Sequence, residues 1–321
     1  MDMEIYGLAL ILLSGFSIIY LKLAKKFNIV DKPNHRSSHT RLTIRGGGIL
    51  FVFGLIIYFV ISDFKYPYFV LGTMIVAILS FIDDVITLSA KIRWPFQVIA
   101  IILLFYQVGF ENFSMWTYLP IMILALGFVN FFNFMDGING ITGLSSLVVI
   151  VGFYYLNQTY PVVDDSFLII LSISVLVFGF FNFRKKAIMF AGDIGSITMA
   201  MILFFLGVKY IITTESALIF CLYIVFGADS TLTVFYRIYK REKLSDAHRQ
   251  HIYQKLVDNF KLSHLKVSMY YTVLQVFISV FTFYVFFNIE VKYHFIIGVL
   301  ISLILTAFYI YLFKKNEKKL Q

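Results

Sequence analysis

Acidic and basic side chains that could carry out chemistry stand where apolar runs of this chain end. Two adjacent carboxylates, Asp83 and Asp84, close one run, and Lys91 and Arg93 open the next. Adjacent carboxylates repel each other and are costly to desolvate unless a cation or a proton compensates them. The pair therefore predicts a bound cation or a basic partner, and Lys91 and Arg93 are close enough in sequence to hold phosphate oxygens. A solvated turn at an interface is the alternative.

A second polar group consists of Asn130, Asn133 and Asp136, which are spaced three residues apart. On a helix this spacing spreads over about 120° of one face. Amides that face lipid are costly, so the stripe should face protein or a water-filled cleft. It predicts either a polar site or hydrogen bonds between helices.

Asp193 lies in the sequence GDIGS at the start of a further apolar run. It is either the N-cap of a helix or another carboxylate for a hard cation. Mg²⁺ fits such a group because it takes one or two carboxylates together with waters and substrate phosphates. Zn²⁺ fits poorly, since the single cysteine, Cys221, stands inside an apolar run and no compact histidine set accompanies the acids.

The first basic segment contains Arg36, His39 and Arg45, and Arg45 is followed by three glycines at 46–48. Glycines at a helix start could offer backbone N–H groups to an anion, with the arginines adding positive charge. They could equally allow two membrane helices to pack closely. Both interpretations remain open from the sequence.

The largest basic loop contains His248, Arg249 and His251. Imidazoles three residues apart would share one face of a helix, and with the guanidinium between them they would suit a diphosphate. A solvated basic surface is the alternative. Asp229, in the apolar run before this loop, is predicted to be a structural or supporting residue.

Apolar helices must hold these groups at one surface, and the composition provides them. Of the 321 residues 60% are hydrophobic and 14% charged, well below the roughly 25% charged residues of soluble proteins. The chain is predicted to be an all-α, polytopic membrane protein that forms one domain over residues 1–321. About eleven membrane spans are predicted at 5–21, 46–62, 67–82, 94–110, 118–134, 141–156, 166–183, 194–212, 217–236, 267–287 and 294–313.

The basic residues predict the orientation, because Lys and Arg accumulate in cytoplasmic loops. With the N terminus outside and the C terminus inside, all of them except Lys65, Lys209 and Lys292 are cytoplasmic. The same orientation places every polar group described above on the cytoplasmic face. The net charge of +9 reflects this rule and an attraction to anionic lipid, so it does not argue for nucleic acid as a partner.

Five ordered motifs between residues 31 and 254 resemble those of the polyprenyl-phosphate N-acetylhexosamine-1-phosphate transferases, a family of integral membrane enzymes also called glycosyltransferase family 4. The motifs are DKPNHRSSH at 31–39 with RGGG at 45–48, FIDDVITLSAKIR at 81–93, NFFNFMDGING at 130–140, AGDIGS at 191–196 and HRQHIYQ at 248–254.

The resemblance implies transfer of a sugar 1-phosphate, with GlcNAc 1-phosphate the first choice, from a UDP-amino sugar to undecaprenyl or another polyprenyl phosphate, with release of UMP. It implies Mg²⁺, with Mn²⁺ as the alternative, bound by Asp193. Asp83, Asp84 and Asp136 would be the catalytic carboxylates, Asp136 on the nucleotide side with Asn133. Substrates would be bound by Arg36, His39, Arg45, Lys91, Arg93, Asn130, Asn133, His248, Arg249 and His251.

The chain departs from the family pattern at one position and matches one branch better than another. The second motif of the family usually ends in DGxDG, whereas this chain has Asn139 at the later position. Replacing Asn139 with Asp should be tolerated if the pattern is merely relaxed. HRQHIYQ resembles the branch that initiates O-antigen or capsule, as in lipopolysaccharide and cell-envelope biogenesis, because the consecutive histidines of the cell-wall branch are missing. The enzyme would lie in the plasma (inner) membrane, and a homodimer is left open.

Two other classes of function are also considered. A transporter or flippase for an anionic lipid or sugar nucleotide would also be basic and polytopic, but transporters place ionisable groups near the midplane, often in repeated halves. Here the middle parts of the spans are almost free of charge and no halves match. A noncatalytic scaffold would leave the clustered acids unexplained. The preferred reaction is direct in-line attack, and an aspartyl-phosphate intermediate is the alternative.

Overall fold

A computed structural model describes residues 3–31, 42–110, 114–243 and 248–320, and long apolar helices make up most of it. The helices are α1 (Met3–Lys26), α2 (Ile49–Ile61), α3 (Pro67–Val85), α4 (Ala90–Gln107), α5 (Met115–Met135), α6 (Ile141–Asn157), α7 (Asp165–Asn182), α8 (Gly192–Thr214), α9 (Ile224–Tyr239), α10 (Ile252–Asp258), α11 (His264–Asn288) and α12 (His294–Leu320). Two 3₁₀ helices, Ala217–Tyr223 and Val291–Tyr293, precede α9 and α12.

The predicted all-α membrane class is confirmed, because each of the eleven predicted runs coincides with a helix. In the described ranges, eight helices are long and apolar enough to cross a membrane. One of these eight consists of α9 together with the 3₁₀ helix that precedes it. The apolar helices α2 and α6 are shorter, with 13 and 17 residues, and α4 is in neither group. The count of eleven spans and their orientation therefore stay predictions.

Helix α8 lies at the centre of the bundle and is buried along nearly its whole length. It packs against α2, α3, α5 and α6. A helix that is apolar on all sides is expected to be enclosed by other helices, and α8 follows this rule. Its first turn carries Asp193, so this predicted site residue stands on the most enclosed helix of the bundle.

The glycine run at 46–48 serves close packing. A Cβ atom on Gly48 would overlap the Cα atom of Gly195 in the first turn of α8. The N–H group of Gly47 donates to the carbonyl of Phe190 at 2.7 Å, and that of Gly48 donates to Ala191 at 2.9 Å. These two N–H groups are thus engaged by protein acceptors, and the packing interpretation of the run is the one that the structure supports.

A small β element, absent from the prediction, connects two loops at this end of the bundle. Strand β1 (Val30–Asp31) pairs antiparallel with β2 (Thr43–Ile44), and Val30 lies opposite Ile44. Ile44 also forms a parallel bridge with Met189, and its carbonyl accepts the N–H of Phe190 at 2.8 Å. This pairing places the residue after β2, Arg45, next to the start of α8.

The opposite end of the bundle has its own polar contacts. The Nζ atom of Lys65 lies 2.8 Å from Oδ1 of Asp164, and the hydroxyl of Tyr58 donates to the same carboxylate at 2.8 Å. Lys209 reaches the hydroxyl of Tyr66 at 3.3 Å. Lys65 and Lys209, two of the three basic residues predicted to be outside, therefore lie at the end away from the predicted site.

We expect that Gly48→Ala will destabilise the protein, because the added methyl group overlaps backbone that cannot move without separating α2 from α8. Overpacking of this kind costs about 1–3 kcal/mol. Thermal unfolding of the purified protein in detergent measures the effect. Gly127→Ala in α5 is the matched control, since nothing lies within 4 Å of the methyl group that it adds. Equal melting temperatures for the two variants would contradict the packing role of Gly48.

Candidate functional site

The end of α3 and the start of α8 meet through Asp84. The carboxylate of Asp84 accepts the backbone N–H of Asp193 at 2.9 Å and that of Ile194 at 3.1 Å. A negative charge at this position is stabilised by the unpaired N–H groups and by the positive end of the helix dipole. The prediction that Asp193 could itself be the N-cap is wrong: Asp193 lies in the first turn, and Asp84 caps the helix from another span.

Two arginines connect three carboxylates into one network. The Nε atom of Arg45 lies 2.7 Å from Asp84, and its Nη2 atom lies 3.4 Å from Oδ1 of Asp193. The Nη1 atom of Arg93 lies 2.8 Å from Asp83 and 3.4 Å from Oδ2 of Asp193. We call these five residues the carboxylate cluster. The sequence predicted a partner for the adjacent aspartates, and Arg93 and Arg45 are the partners.

Of the polar stripe of α5, the side chain of Asn133 contacts the cluster and the amide group of Asn130 does not. The Nδ2 atom of Asn133 donates to Asp193 at 3.1 Å and to the hydroxyl of Ser196 at 3.0 Å. The Nδ2 atom of Asn130 instead donates to the carbonyl of Leu126 on its own helix at 2.7 Å. Of the two predicted amides, only the one at the helix end therefore reaches the cluster.

Asp136 follows the last residue of α5 and is half-buried at the same end of the bundle. It accepts a hydrogen bond from the hydroxyl of Thr142 at 2.6 Å. Burial raises the pKa of Asp136 to about 6, and the hydrogen bond from Thr142 opposes that shift. A carboxyl group with this pKa changes its charge close to neutral pH.

The other basic residues that were predicted to bind substrate in the first loops differ in where they lie. Lys91 is exposed at the start of α4, while Arg93, two residues later, points into the carboxylate cluster. Arg36 and His39 lie outside the residues that the structure describes.

The three acids of the carboxylate cluster differ in their access to solvent. The side chain of Asp193 is 20% exposed, that of Asp83 is 7% exposed, and that of Asp84 is fully enclosed. Asp193 is thus the carboxylate that a small ligand can reach most easily, whereas the contacts of Asp84 are those of a helix cap.

The donor set agrees with a hard cation in its chemistry. It offers carboxylate and amide oxygens, and Mg²⁺ needs one or two protein carboxylates when phosphates and waters complete its shell. No group of three or more His, Cys, Asp or Glu side chains placed to hold a metal ion occurs in the part of the chain that the structure describes. The magnesium site therefore stays a prediction, with Asp193 as its predicted ligand.

His248, Arg249 and His251, the histidine loop, do not share a helical face as predicted. Residues 248–250 are irregular, and His251 is the N-cap of α10, where its backbone N–H donates to the side chain of Gln254 at 3.3 Å. Arg249 forms two hydrogen bonds with Asp258, of 2.9 and 2.8 Å. The helix begins at Ile252, four residues after His248, because a capping box with Gln254 sets its start.

The two imidazoles of the histidine loop have different environments. His251 is buried, its Nδ1 atom lies 3.4 Å from Asp229, and its ring centroid lies 5.1 Å from that of His248. His248 is half-buried. Burial, and then the nearby His251 and Arg237, lower the pKa of His248 to about 4. His248 is therefore a neutral imidazole at neutral pH.

The histidine loop and the end of α5 are in contact. The hydroxyl of Tyr253 in α10 donates to the carbonyl of Phe134 at 3.1 Å, and the ring of Phe134 lies 6.4 Å from that of His251. Phe134 is two residues from Asp136 and one from Asn133. The structure thus brings the histidine loop to the same end of α5 as the carboxylate cluster, as the sequence predicted.

Asn139 has a structural task that the sequence did not reveal. Its Nδ2 atom donates to the carbonyl of Arg184 at 2.9 Å, and its own carbonyl accepts the hydroxyl of Ser268 at 2.7 Å. The next residue, Gly140, donates its N–H to the side chain of Asn182 at 2.7 Å. Asn139 therefore connects the loop after α5 with the loop after α7 and with α11.

A cleft of about 740 Å³ opens beside Asn139, between β2, the loop before α8 and the start of α11. Its basic lining consists of Lys25, Lys185, Lys186 and His264, and Phe190 adds an aromatic ring. We call it the lysine cleft. From the sequence, these lysines served only to predict the orientation of the chain in the membrane. The signal that could have identified the cleft is the basic run at 184–186, just before the AGDIGS motif.

Comparisons with known proteins show what the sequence is similar to. The sequence profile of the family described as "Glycosyl transferase family 4" matches residues 66–211. A protein of Bacillus subtilis (strain 168), named "Probable undecaprenyl-phosphate N-acetylglucosaminyl 1-phosphate transferase", is 27% identical over 270 residues, which are 77% of this chain and 74% of the relative. The matched range 66–211 contains Asp83, Asp84, Arg93, Asn133 and Asp193.

We expect that Asn139→Asp, which restores the family's acid, will destabilise this protein. The carboxylate would replace a donor to the Arg184 carbonyl with a second acceptor in a buried position, at a cost of about 1–3 kcal/mol. Thermal unfolding of the purified variant measures the loss. Asn130→Asp is the control, because it makes the same chemical change at a half-buried position. An Asn139→Asp protein that is as stable as the wild type would show that the amide contacts are dispensable.

Proposed function

We propose that this chain, whose residues 66–211 match the profile of glycosyltransferase family 4, transfers an N-acetylhexosamine 1-phosphate, with GlcNAc 1-phosphate first, from a UDP-sugar to undecaprenyl phosphate. The reaction releases UMP and starts a surface glycan on the cytoplasmic face of the plasma membrane. The observation that supports this most directly is the carboxylate cluster, which lies beside a basic cleft at one end of an apolar helix bundle.

The reaction is a phosphoryl transfer between two phosphate groups. An oxygen of the lipid phosphate attacks the sugar-linked phosphorus, and the bond from that phosphorus to the oxygen of UMP breaks with its electron pair leaving on UMP. The second pKa of a phosphate monoester is near 6, so the acceptor is already largely a dianion at neutral pH. Alignment and neutralisation of charge should then matter more than removal of a proton, which favours direct in-line attack.

Arg45 and Arg93 suit the task of holding phosphate oxygens. Both are fixed by carboxylates and are about one third exposed, so their orientation is set before a substrate arrives. The buried Nε atom of Arg93 has no hydrogen-bond partner within the described residues. A buried donor without an acceptor is costly, and an anionic oxygen from a substrate would remove that cost.

Asp193 and Asp83 are the residues that would hold Mg²⁺. When bound, the ion would supply positive charge to the phosphate oxygens. Asn133 would keep the Asp193 carboxylate in place through its hydrogen bond to Oδ1, and the Asp84 cap would fix the backbone that carries it.

The lysine cleft would receive the nucleotide half of the donor. It offers three ammonium groups, one imidazole and an aromatic ring to an anionic, partly flat ligand, and it adjoins the loop that ends α5. His248 and Arg249 would bind the donor from the other side of that loop. The donor sugar, UDP-GlcNAc or a UDP-6-deoxy amino sugar, and the O-antigen or capsule branch are parts of the proposal.

UMP release tests the proposed function. Purified protein in detergent, given UDP-GlcNAc, undecaprenyl phosphate and Mg²⁺, should form UMP and a lipid-linked sugar in equal amounts. Asp193→Asn should lower turnover by about a hundredfold or more, because it removes one preorganised charge from the site. Membrane insertion should be unchanged in that variant. Absence of UMP with every UDP-amino sugar tried would contradict the proposal, and uptake of the lipid or nucleotide into vesicles would instead favour a transporter.

The lysine cleft gives a second prediction. The double change Lys185→Ala with Lys186→Ala should raise the donor KM about tenfold, which corresponds to one charge-assisted hydrogen bond of about 1.4 kcal/mol, and should leave the acceptor KM unchanged. The control is Lys22→Ala with Lys26→Ala. It removes the same charge from exposed positions at the C-terminal end of α1, near the cleft but not in its lining. Equal effects of the two double variants would mean that the cleft attracts the donor only through general surface charge.

A further inference from the structure

The carboxylate of Asp229 is buried inside α9 and has no role in the reaction described above. Its side chain has no exposed surface. It accepts the backbone N–H of Ile252 at 2.9 Å and that of Tyr253 at 3.2 Å, and the hydroxyl of Tyr271 donates to it. A buried carboxylate is stable only when such donors satisfy it, so these contacts are strong constraints on their partners.

The two backbone N–H groups that Asp229 binds belong to the residues that directly follow the histidine loop. Ile252 and Tyr253 open α10, and His251, the N-cap of α10, has its Nδ1 atom 3.4 Å from the Asp229 carboxylate. Asp229 therefore holds one end of the histidine loop against the membrane helix α9. His251 is 2% exposed, so its ring is enclosed by protein and serves as the anchor of the loop.

A residue within the loop, Gln250, is also held. Gln250 donates to both carboxylate oxygens of Glu242 at 2.9 Å, and Glu242 in turn accepts from Nε of the buried Arg237 at 3.2 Å. Arg237 lies in the last turn of α9, two turns beyond Asp229. Both contacts attach the loop to α9. His248 and Arg249 are more accessible than His251, and Arg249 is held by Asp258 in α10.

We propose that Asp229 is a positioning residue: by holding His251 and the start of α10, it sets where His248 and Arg249 meet the sugar nucleotide. The proposal rests on the proposed function, since it assigns the loop to the donor. It also divides the work of the two histidines, with His251 as the anchor and His248 as the imidazole that contacts the donor.

The arrangement parallels that at Asp84. In both places an aspartate within one long helix accepts two successive backbone N–H groups at the start of another helix. Asp84 also contacts Arg45 and so belongs to the carboxylate cluster, whereas Asp229 contacts no residue of that cluster in the described structure. Asp229 therefore acts on the donor through the segment that it holds, which is the histidine loop and the start of α10.

Steady-state kinetics of UMP release can test this. We expect Asp229→Asn to raise the donor KM by about tenfold to a hundredfold, the range seen when an outer partner that orients a ligand is lost. The acceptor KM should stay unchanged. His248→Asn should raise the donor KM in the same way. The double variant Asp229→Asn with His248→Asn should have a donor KM no higher than that of the more affected single variant, because both changes act through one contact. An unchanged donor KM in Asp229→Asn, or multiplied effects in the double variant, would overturn the proposal.

Two further variants separate positioning from folding. Tyr271→Phe removes a hydrogen bond to Asp229 from α11 but leaves the loop contacts, so its donor KM should stay near the wild-type value. His251→Asn keeps a good N-cap residue while removing the imidazole, and it remains informative if Asp229→Asn does not fold. It should raise the donor KM less than His248→Asn does; the reverse order would make His251 the donor ligand and refute the assignment. Inactivity of the wild type would count against the proposed function, whereas an active wild type with an indifferent Asp229→Asn counts only against this inference.

Discussion

The two hydrogen bonds from the backbone of Asp193 and Ile194 to Asp84 join the end of one membrane helix to the start of another. They place a carboxylate at the positive end of α8 and thereby fix the position of Asp193 at this end of the bundle. Arg45 reaches Asp84 and Asp193 only because the glycine run lets α2 start directly against α8. The remaining contacts of the site, from Arg93 and Asn133, meet at Asp193.

Charge balance explains how these ionisable groups can lie together in a partly buried space. Three carboxylates and two guanidiniums share a small, partly buried space, and each pair alone would be costly to bury. Together they satisfy one another and leave one negative charge in excess when all are ionised. That excess negative charge is what the proposed cation would neutralise, and the two arginines, already held by carboxylates, are the groups that would face anionic oxygens.

The helices could be read from the sequence because lipid and a buried core both demand apolar residues, and all eleven predicted runs are helical. The number of crossings could not, because α2 has 13 residues and is about 20 Å long, short of the roughly 30 Å of a bilayer core. The shared location of Asp83, Asp84 and Asp193 was predictable from the parity of the spans. Their partners were not, since the Asp84 contact joins residues 109 positions apart and periodicity carries no information at that range. The histidine loop was predicted wrongly because His is an uncommon N-cap, although Gln254 three residues later was a usable signal.

Asp84 makes its helix contacts with backbone groups, and that choice affects how the protein can evolve. A substitution at position 194 changes a side chain but leaves the N–H group that Asp84 binds, so this hydrogen bond does not depend on the residue type there. Position 84 has no such freedom, because only a short carboxylate accepts both N–H groups at once in a space with no exposed surface. The tolerance of these two hydrogen bonds to mutation is thus one-sided, because position 84 supplies a side chain and positions 193 and 194 supply only backbone.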